Sequence, residues 1–173
     1  EVIRGKKWVL SAMAAFSMVA CAPSEGDEVV EEVVPDSTPT VIIETTMGQI
    51  VVEVDLVAAP RSGANFIWHV SAGFYNGLQF HRVMTRPAII QSGRLTANYE
   101  PREAQVPFLE NEDTGLDNVR GSIAVARAAD PHSAKSEWFI NVQDNPLLNH
   151  NEDEWGYAVF GRVVAGMDVV DQI

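Results

Sequence analysis

The chain has 173 residues, 46% of them hydrophobic and 21% charged, with 12 Lys+Arg against 24 Asp+Glu and a single cysteine. That composition suits one globular domain plus some additional sequence. The lone cysteine excludes an internal disulfide, and the acidic balance argues against nucleic acid as a partner, because phosphate binding rests on a basic face.

In chain order, Arg4, Lys6 and Lys7 precede an uncharged stretch, WVLSAMAAFSMVA (8–20), that ends at Cys21. A basic segment followed by about a dozen apolar and small residues is the pattern of an export signal, and too short to span a bilayer comfortably. The form MVAC at 18–21 resembles the bacterial lipoprotein signal. The expectation is therefore a signal peptide over 1–20, acylation of Cys21, and anchoring to a lipid bilayer on the periplasmic face of a bacterial membrane. Ala22 after the cysteine points to the outer membrane. An ordinary signal peptide, or an apolar helix with an incidental cysteine, are the alternatives. Glu1 in place of Met leads to the expectation of a start further upstream. Without residues 1–20 the balance is 9 Lys+Arg against 23 Asp+Glu, a net charge of −14. Thiol catalysis and zinc-thiolate sites are excluded from the body, which has no cysteine. Residues 21–38 are acidic and proline-containing, the composition of an extended tether, with a short helix or interaction motif around the valine pairs as the alternative.

From residue 39 onward the pattern is strand-like. TVIIETT (40–46) and GQIVVEVD (48–55) read as a hairpin turning at Met47-Gly48. Pro60 opens a helix with Phe66, Ile67 and Val70 at helical spacing and Gly73 at its end. LQFHRVM (78–84) and AIIQSG (88–93) read as strands, 94–118 as a surface loop, and GSIAVARA (121–128), EWFINV (137–142) and YAVFGRVV (157–164) as further strands. AGMDVVDQI starts a second helix. Many short strands with two helices indicate an antiparallel barrel or sandwich capped by helices. Within FHRVM, alternation puts Phe80, Arg82 and Met84 on one side. A guanidinium aimed at an apolar face needs partners or a purpose.

His69, His81, His132 and His150 show no metal-site spacing, and no metal or cofactor is expected. DPHSAKS (130–136) places Asp, His and Ser in sequence, but triad members are seldom sequence neighbours and no nucleophile elbow is present, so 129–136 reads as a turn. NHNEDE (149–154) lacks the spacing of a calcium loop and reads as solvated. Gly156 and Gly161 read as turn or bulge residues.

Over 39–173 the order of motifs resembles the cyclophilin family of peptidyl-prolyl isomerases: GFYNGLQFHRV (73–83), IIQSG (89–93), GSIAVARAAD (121–130), SEWFINV (136–142), NPLLNH (145–150) and GYAVFGRVVAGMDVVD (156–171). The bacterial periplasmic form is the most similar variety. The resemblance implies a mainly β, eight-stranded antiparallel barrel capped by two helices. It also implies cis–trans isomerisation of X-Pro bonds in exported or unfolded, proline-containing polypeptides, by a monomer without cofactor. Arg82 matches the family's catalytic arginine. Ile89 and Phe139 match pocket walls, Leu148 the pocket floor, and Gln91 the glutamine that orients the arginine. Ala126 and Arg127 match residues whose backbone pairs with bound peptide. Leu147 takes a place held by an aromatic in many relatives, and Tyr157 one that is histidine in eukaryotic forms.

Four departures qualify the match. One extra residue lies between Phe80 and Gln91. Ala88 stands where a pocket phenylalanine is expected, which thins one wall. Glu137 replaces a glutamine and is expected either to orient Arg82 or to damp its charge. The chain also stops at Ile173, before the strand expected to close the barrel. A cyclophilin-like module that binds proline peptides with little turnover is the alternative to an active isomerase.

Overall fold

Runs of β-branched residues form most of the strands expected of them, and pairing order rather than chain order decides the architecture. The computed structural model describes residues 38–173. The expected signal segment, Cys21 and the linker up to residue 37 lie outside the described residues. The strands are β1 (Thr40–Thr45), β2 (Gly48–Val54), β3 (Arg82–Thr85), β4 (Ala88–Ser92), β5 (Ser122–Val125), β6 (Trp138–Asn141) and β7 (Val159–Ala165). They form one antiparallel sheet in the order β1-β2-β7-β5-β6-β4-β3. The sheet curls into a half-barrel with β1 and β3 at its edges. Seven strands, not the expected eight, are present among the described residues.

Helix α1 (Pro60–Ser71) begins at a proline whose fixed φ suits the first helical position, and no side chain at Ala59 caps it. The capping comes instead from far along the chain. The Glu112 carboxylate accepts hydrogen bonds from the N–H groups of Arg61 (3.2 Å) and Ser62 (2.6 Å), where the helix dipole also favours negative charge. Past the end of α1, Gly73 is left-handed, and the Gly73 and Phe74 amides close the last turn onto Val70 and His69. Helix α2 (Met167–Val170) is a single turn that packs Val169 and Val170 against the sheet.

The main core lies between α1 and the concave side of the sheet. Ile50, Val52 and Val54 of β2, Ile90 of β4, Ile123 of β5, Ile140 of β6 and Phe160 of β7 meet Phe66 and Val70 of α1. Phe66 stacks 5.0 Å from Phe160 and edge-on to Trp138 at 5.8 Å. Each such buried side chain contributes roughly 1.5–3 kcal/mol of transfer free energy.

Three expectations shift. The first hairpin turns at Thr46-Met47, one residue early, because the Thr45 hydroxyl accepts the Met47 and Gly48 amides and donates to the Gly48 carbonyl. The strand expected from residue 78 starts only at Arg82. Between the bridges Leu78↔Thr96 and Arg82↔Gln91, three residues on one side face four on the other, so period-two alternation does not carry through. In consequence Phe80 faces the main core, edge-on to Trp138 at 5.6 Å, while Arg82 and Met84 face the opposite side. Met84 packs against the second, smaller apolar cluster and not the main core. β3 and β4 are joined by a two-residue turn at Arg86-Pro87.

Gly156 and Gly161 both answer to close approaches. A Cβ on Gly156, at φ 58°, would strike the backbone of Asn149 and His150, and one on Gly161 would strike the Glu53 carbonyl across the β2–β7 ladder. The register of β5 against β7 slips directly beside Gly161.

Candidate functional site

The convex face of the same strands carries a second, smaller apolar cluster. Ile89 of β4, Ala124 of β5, Phe139 of β6, Val159 of β7 and Ala126 just past β5 are buried in it, with Met84, Leu148 and Tyr157 packed at its margin. Register builds the cluster. Met84 pairs with Ile89, Arg82 with Gln91, Gln91 with Phe139, and Phe139 with Ala124. Those residues therefore share one face, with their neighbours Ile90, Ile140 and Ile123 on the other.

Arg82 stands exposed at the edge of this cluster, on β3. Its Nη1 donates to the Gln91 Oε1 at 3.2 Å. The Gln91 Nε2 donates in turn to the Glu137 Oε2 at 2.7 Å, and the His81 Nε2 lies 3.3 Å from the same oxygen. Because a carboxylate only accepts, Glu137 fixes the Gln91 amide with its nitrogen toward Glu137 and its oxygen toward Arg82. Glu137 therefore reaches Arg82 through Gln91. Burial pushes the Glu137 carboxyl up. Hydrogen bonds from His81 and Gln91, with the charges of His81 and Arg94, outweigh that and hold it below the usual carboxylate range. The His81 Nδ1 has no partner among the described residues.

The other expected residues lie around this line. Tyr157 sits edge-on to Phe139 at 5.6 Å, and the Arg127 guanidinium lies over the Tyr157 ring at 4.6 Å. The Arg127 Nε donates to the Gly156 carbonyl at 3.0 Å. Ala126 already donates its N–H to the Glu137 carbonyl at 2.9 Å, which leaves its own carbonyl for any added chain. Leu148, on the one-turn 3-10 helix Pro146–Leu148, packs against the cluster. Leu147 does not: it is 94% exposed and stands out from the rim. Ala88 is buried outside the cluster, its N–H and carbonyl both bonded to the Asn145 side-chain amide. Cys21 lies outside the described residues.

Sequence reasoning missed Met84, Ala124 and Val159 as cluster members. The signal for Met84 was available, since it lies two residues from Arg82 and pairs with Ile89. It also missed His81 as the partner of Glu137. In the 129–136 turn, Ser133 bonds to Ala128 and Asp130, whereas His132 receives the Asn111 amide, so no Asp–His–Ser relay forms.

The arrangement offers an apolar hollow, a fixed cation at its edge and free backbone groups along one side. Comparison with known proteins fits that description. Residues 40–173 match the family of cyclophilin type peptidyl-prolyl cis-trans isomerases. The chain is 44% identical over 137 residues to a peptidyl-prolyl cis-trans isomerase of Streptomyces antibioticus, covering 78% of this chain and 82% of that one. It is 42% identical over 133 residues to peptidyl-prolyl cis-trans isomerase A of Dickeya dadantii, covering 77% and 70%. In fold it is similar to a Cryptosporidium parvum cyclophilin type peptidyl-prolyl cis-trans isomerase solved in the presence of the dipeptide Ala-Pro. That match has a TM-score of 0.62 at 23% identity, over 77% of this chain and 83% of that one.

Proposed function

The chain belongs to the cyclophilin-type peptidyl-prolyl cis-trans isomerases, and on that premise we propose that Arg82 is the catalytic residue and the Ile89–Phe139 cluster the prolyl pocket. The observation that carries the assignment is a guanidinium held by Gln91 at the edge of an otherwise apolar hollow.

Resonance gives the peptide bond a rotational barrier of about 18–20 kcal/mol. Unaided X-Pro isomerisation accordingly takes tens to hundreds of seconds. At the twisted transition state conjugation is lost and the prolyl nitrogen gains a lone pair able to accept a hydrogen bond. A donor aimed there stabilises the twisted form more than either planar one. Met84, Ile89, Phe139 and Leu148 hold the ring still while the residue before it rotates, and the Ala126 carbonyl with the Arg127 backbone pairs with the rest of the peptide. Gln91 orients the arginine and Glu137 orients Gln91. Tyr157 walls the pocket beside Phe139, and Leu147 presents an apolar surface to the peptide from the rim. No covalent intermediate is required. The match to a fold solved with Ala-Pro supports proline-containing chains as substrates.

The same reading extends to what surrounds the domain. Residues 1–20 act as an export signal, Cys21 is acylated, residues 21–38 tether the catalytic domain of 39–173 at the periplasmic face of a membrane, and the enzyme works there as a monomer on exported chains. The MVAC sequence supports the lipid anchor. Membrane partition of the wild type against Cys21→Ser tests it, with both forms soluble as the adverse result. The two sheet edges, β1 and β3, are where an eighth strand would close the barrel. The catalytic assignment is tested by proline-peptide isomerisation with Arg82→Ala. Wild-type rates in the variant would remove Arg82 from the chemistry.

A further inference from the structure

We propose that the groove next to the prolyl pocket selects substrates carrying acidic side chains within a few residues of the proline. This rests on the isomerase reading of the Arg82 site. The groove has a volume of about 460 Å³ and shares Gln91, Ala126 and Glu137 with that site. That is space for one or two side chains.

Its charge runs against the rest of the molecule. Residues 38–173 hold 9 Lys+Arg against 17 Asp+Glu, yet Arg94, Arg102, Arg127 and Lys135 line the groove against only Glu103 and Glu137. Away from it, three of the five described cations are matched by carboxylates: Arg61 by Glu110, Arg120 by Asp171, and Arg162 by Glu53. Inside it, three of the four are held by groups that leave their charge unneutralised. Arg102 donates to the Phe74 and Asn76 carbonyls, Arg127 to the Gly156 carbonyl, and the Lys135 ammonium lies 4.8 Å from the Phe108 ring. Among the described residues, only Arg94 of the four approaches a carboxylate, Glu137, at 4.0 Å. Carbonyls and a ring fix these cations in place without neutralising them. A peptide running from the pocket across Ala126 and Arg127 passes over them. A substrate carboxylate settling here gains attraction that a neutral side chain lacks, and the acidic remainder of the surface does not compete for it.

The test uses the full chain and a set of peptides with one Ala-Pro core and Glu, Gln or Lys placed at each of three positions on either side. At about 0.02 M ionic strength, Glu should raise kcat/KM over Gln by about fivefold at one or more positions on one side, with Lys below Gln. The ratio should shrink at about 0.5 M salt. Lys135→Gln should lower the Glu/Gln ratio and Lys135→Glu abolish it. A ratio of one at every position, or one unaltered by Lys135→Glu, overturns the proposal. If no peptide is isomerised faster than in buffer, the isomerase reading fails separately. Titration of fluorescent Glu and Gln peptides then decides the groove: tighter binding of the Glu peptide upholds it and equal binding overturns it.

Discussion

The two faces of β4 and β6 carry residues one position apart in sequence, and they are built on opposite rules. Ile90 and Ile140 point into a core of branched and aromatic side chains, where the requirement is volume and dryness. Ile89, Gln91 and Phe139 point the other way, into a smaller cluster with alanines at Ala124 and Ala126 and a polar line from Glu137 through Gln91 to Arg82. The core side keeps its residues by packing. The outer side leaves space and directs a charge toward it. Stability should therefore respond to the first face and turnover to the second.

The largest stability effect belongs to the inner face. Ile140 is fully buried, so Ile140→Ala should destabilise by about 2–5 kcal/mol, the transfer loss plus the cavity it leaves. Denaturant titration reads this directly. A change below about 1 kcal/mol would mean that the two faces are not energetically distinct. Arg82→Ala should show the reverse. It should lose about 100-fold or more in kcat/KM, the scale of one removed transition-state donor, while its stability moves by less than about 0.5 kcal/mol. Arg82→Lys should recover little, because an ammonium cannot keep the fork geometry that Gln91 holds.

A subtler effect separates the two roles open to Glu137. Glu137→Ala releases the Gln91 amide to rotate, so kcat/KM should fall by about three- to tenfold. In a Gln91→Ala background the same change should do almost nothing. Full additivity of the two losses would mean that Glu137 acts on Arg82 by charge and not through Gln91. A faster Glu137→Gln variant would likewise revive the idea of a damped arginine. The 2.7 Å Gln91–Glu137 bond argues for positioning.

How far the sequence carried can be judged on these residues. Alternation and turn chemistry were enough to place β1, β2, β4 and α1 to within a residue or two, because each is a local pattern. FHRVM was misread where a local pattern meets a non-local one. Phe80 and Arg82 part company because the strand opposite them holds an extra residue, and nothing in the five letters records that. The Arg82, Gln91 and Phe139 alignment was legible through resemblance. The hydrogen-bonded order of Glu137, Gln91 and Arg82 required β3, β4 and β6 to be laid side by side. The basic groove was the least legible feature, since Arg94, Arg102, Arg127 and Lys135 lie apart in an acidic chain and converge only in three dimensions.

The smallest effect concerns a histidine on the inner side. His69 of α1 is fully buried, its Nδ1 2.8 Å from the Asn65 carbonyl and its Nε2 without a partner among the described residues. Burial lowers its pKa, and the bond to the Asn65 carbonyl offsets that only in part, so the folded chain keeps the ring neutral below 6.5. The unfolded chain takes up the proton near 6.5, its ordinary value. Stability is therefore lost as pH falls from 6.5 toward the lower folded pKa, and levels off beneath it. From pH 7.5 to pH 5.5 the loss from this one group is at most about 1.4 kcal/mol. Glu137 acts in a separate window. Its depressed carboxyl contributes above the unfolded carboxylate pKa and fades only as pH drops through the still lower folded value. In denaturant titrations at both pH values, wild type should lose more stability than His69→Leu as the pH falls. Parallel losses in the two proteins would show that His69 is not the group that titrates.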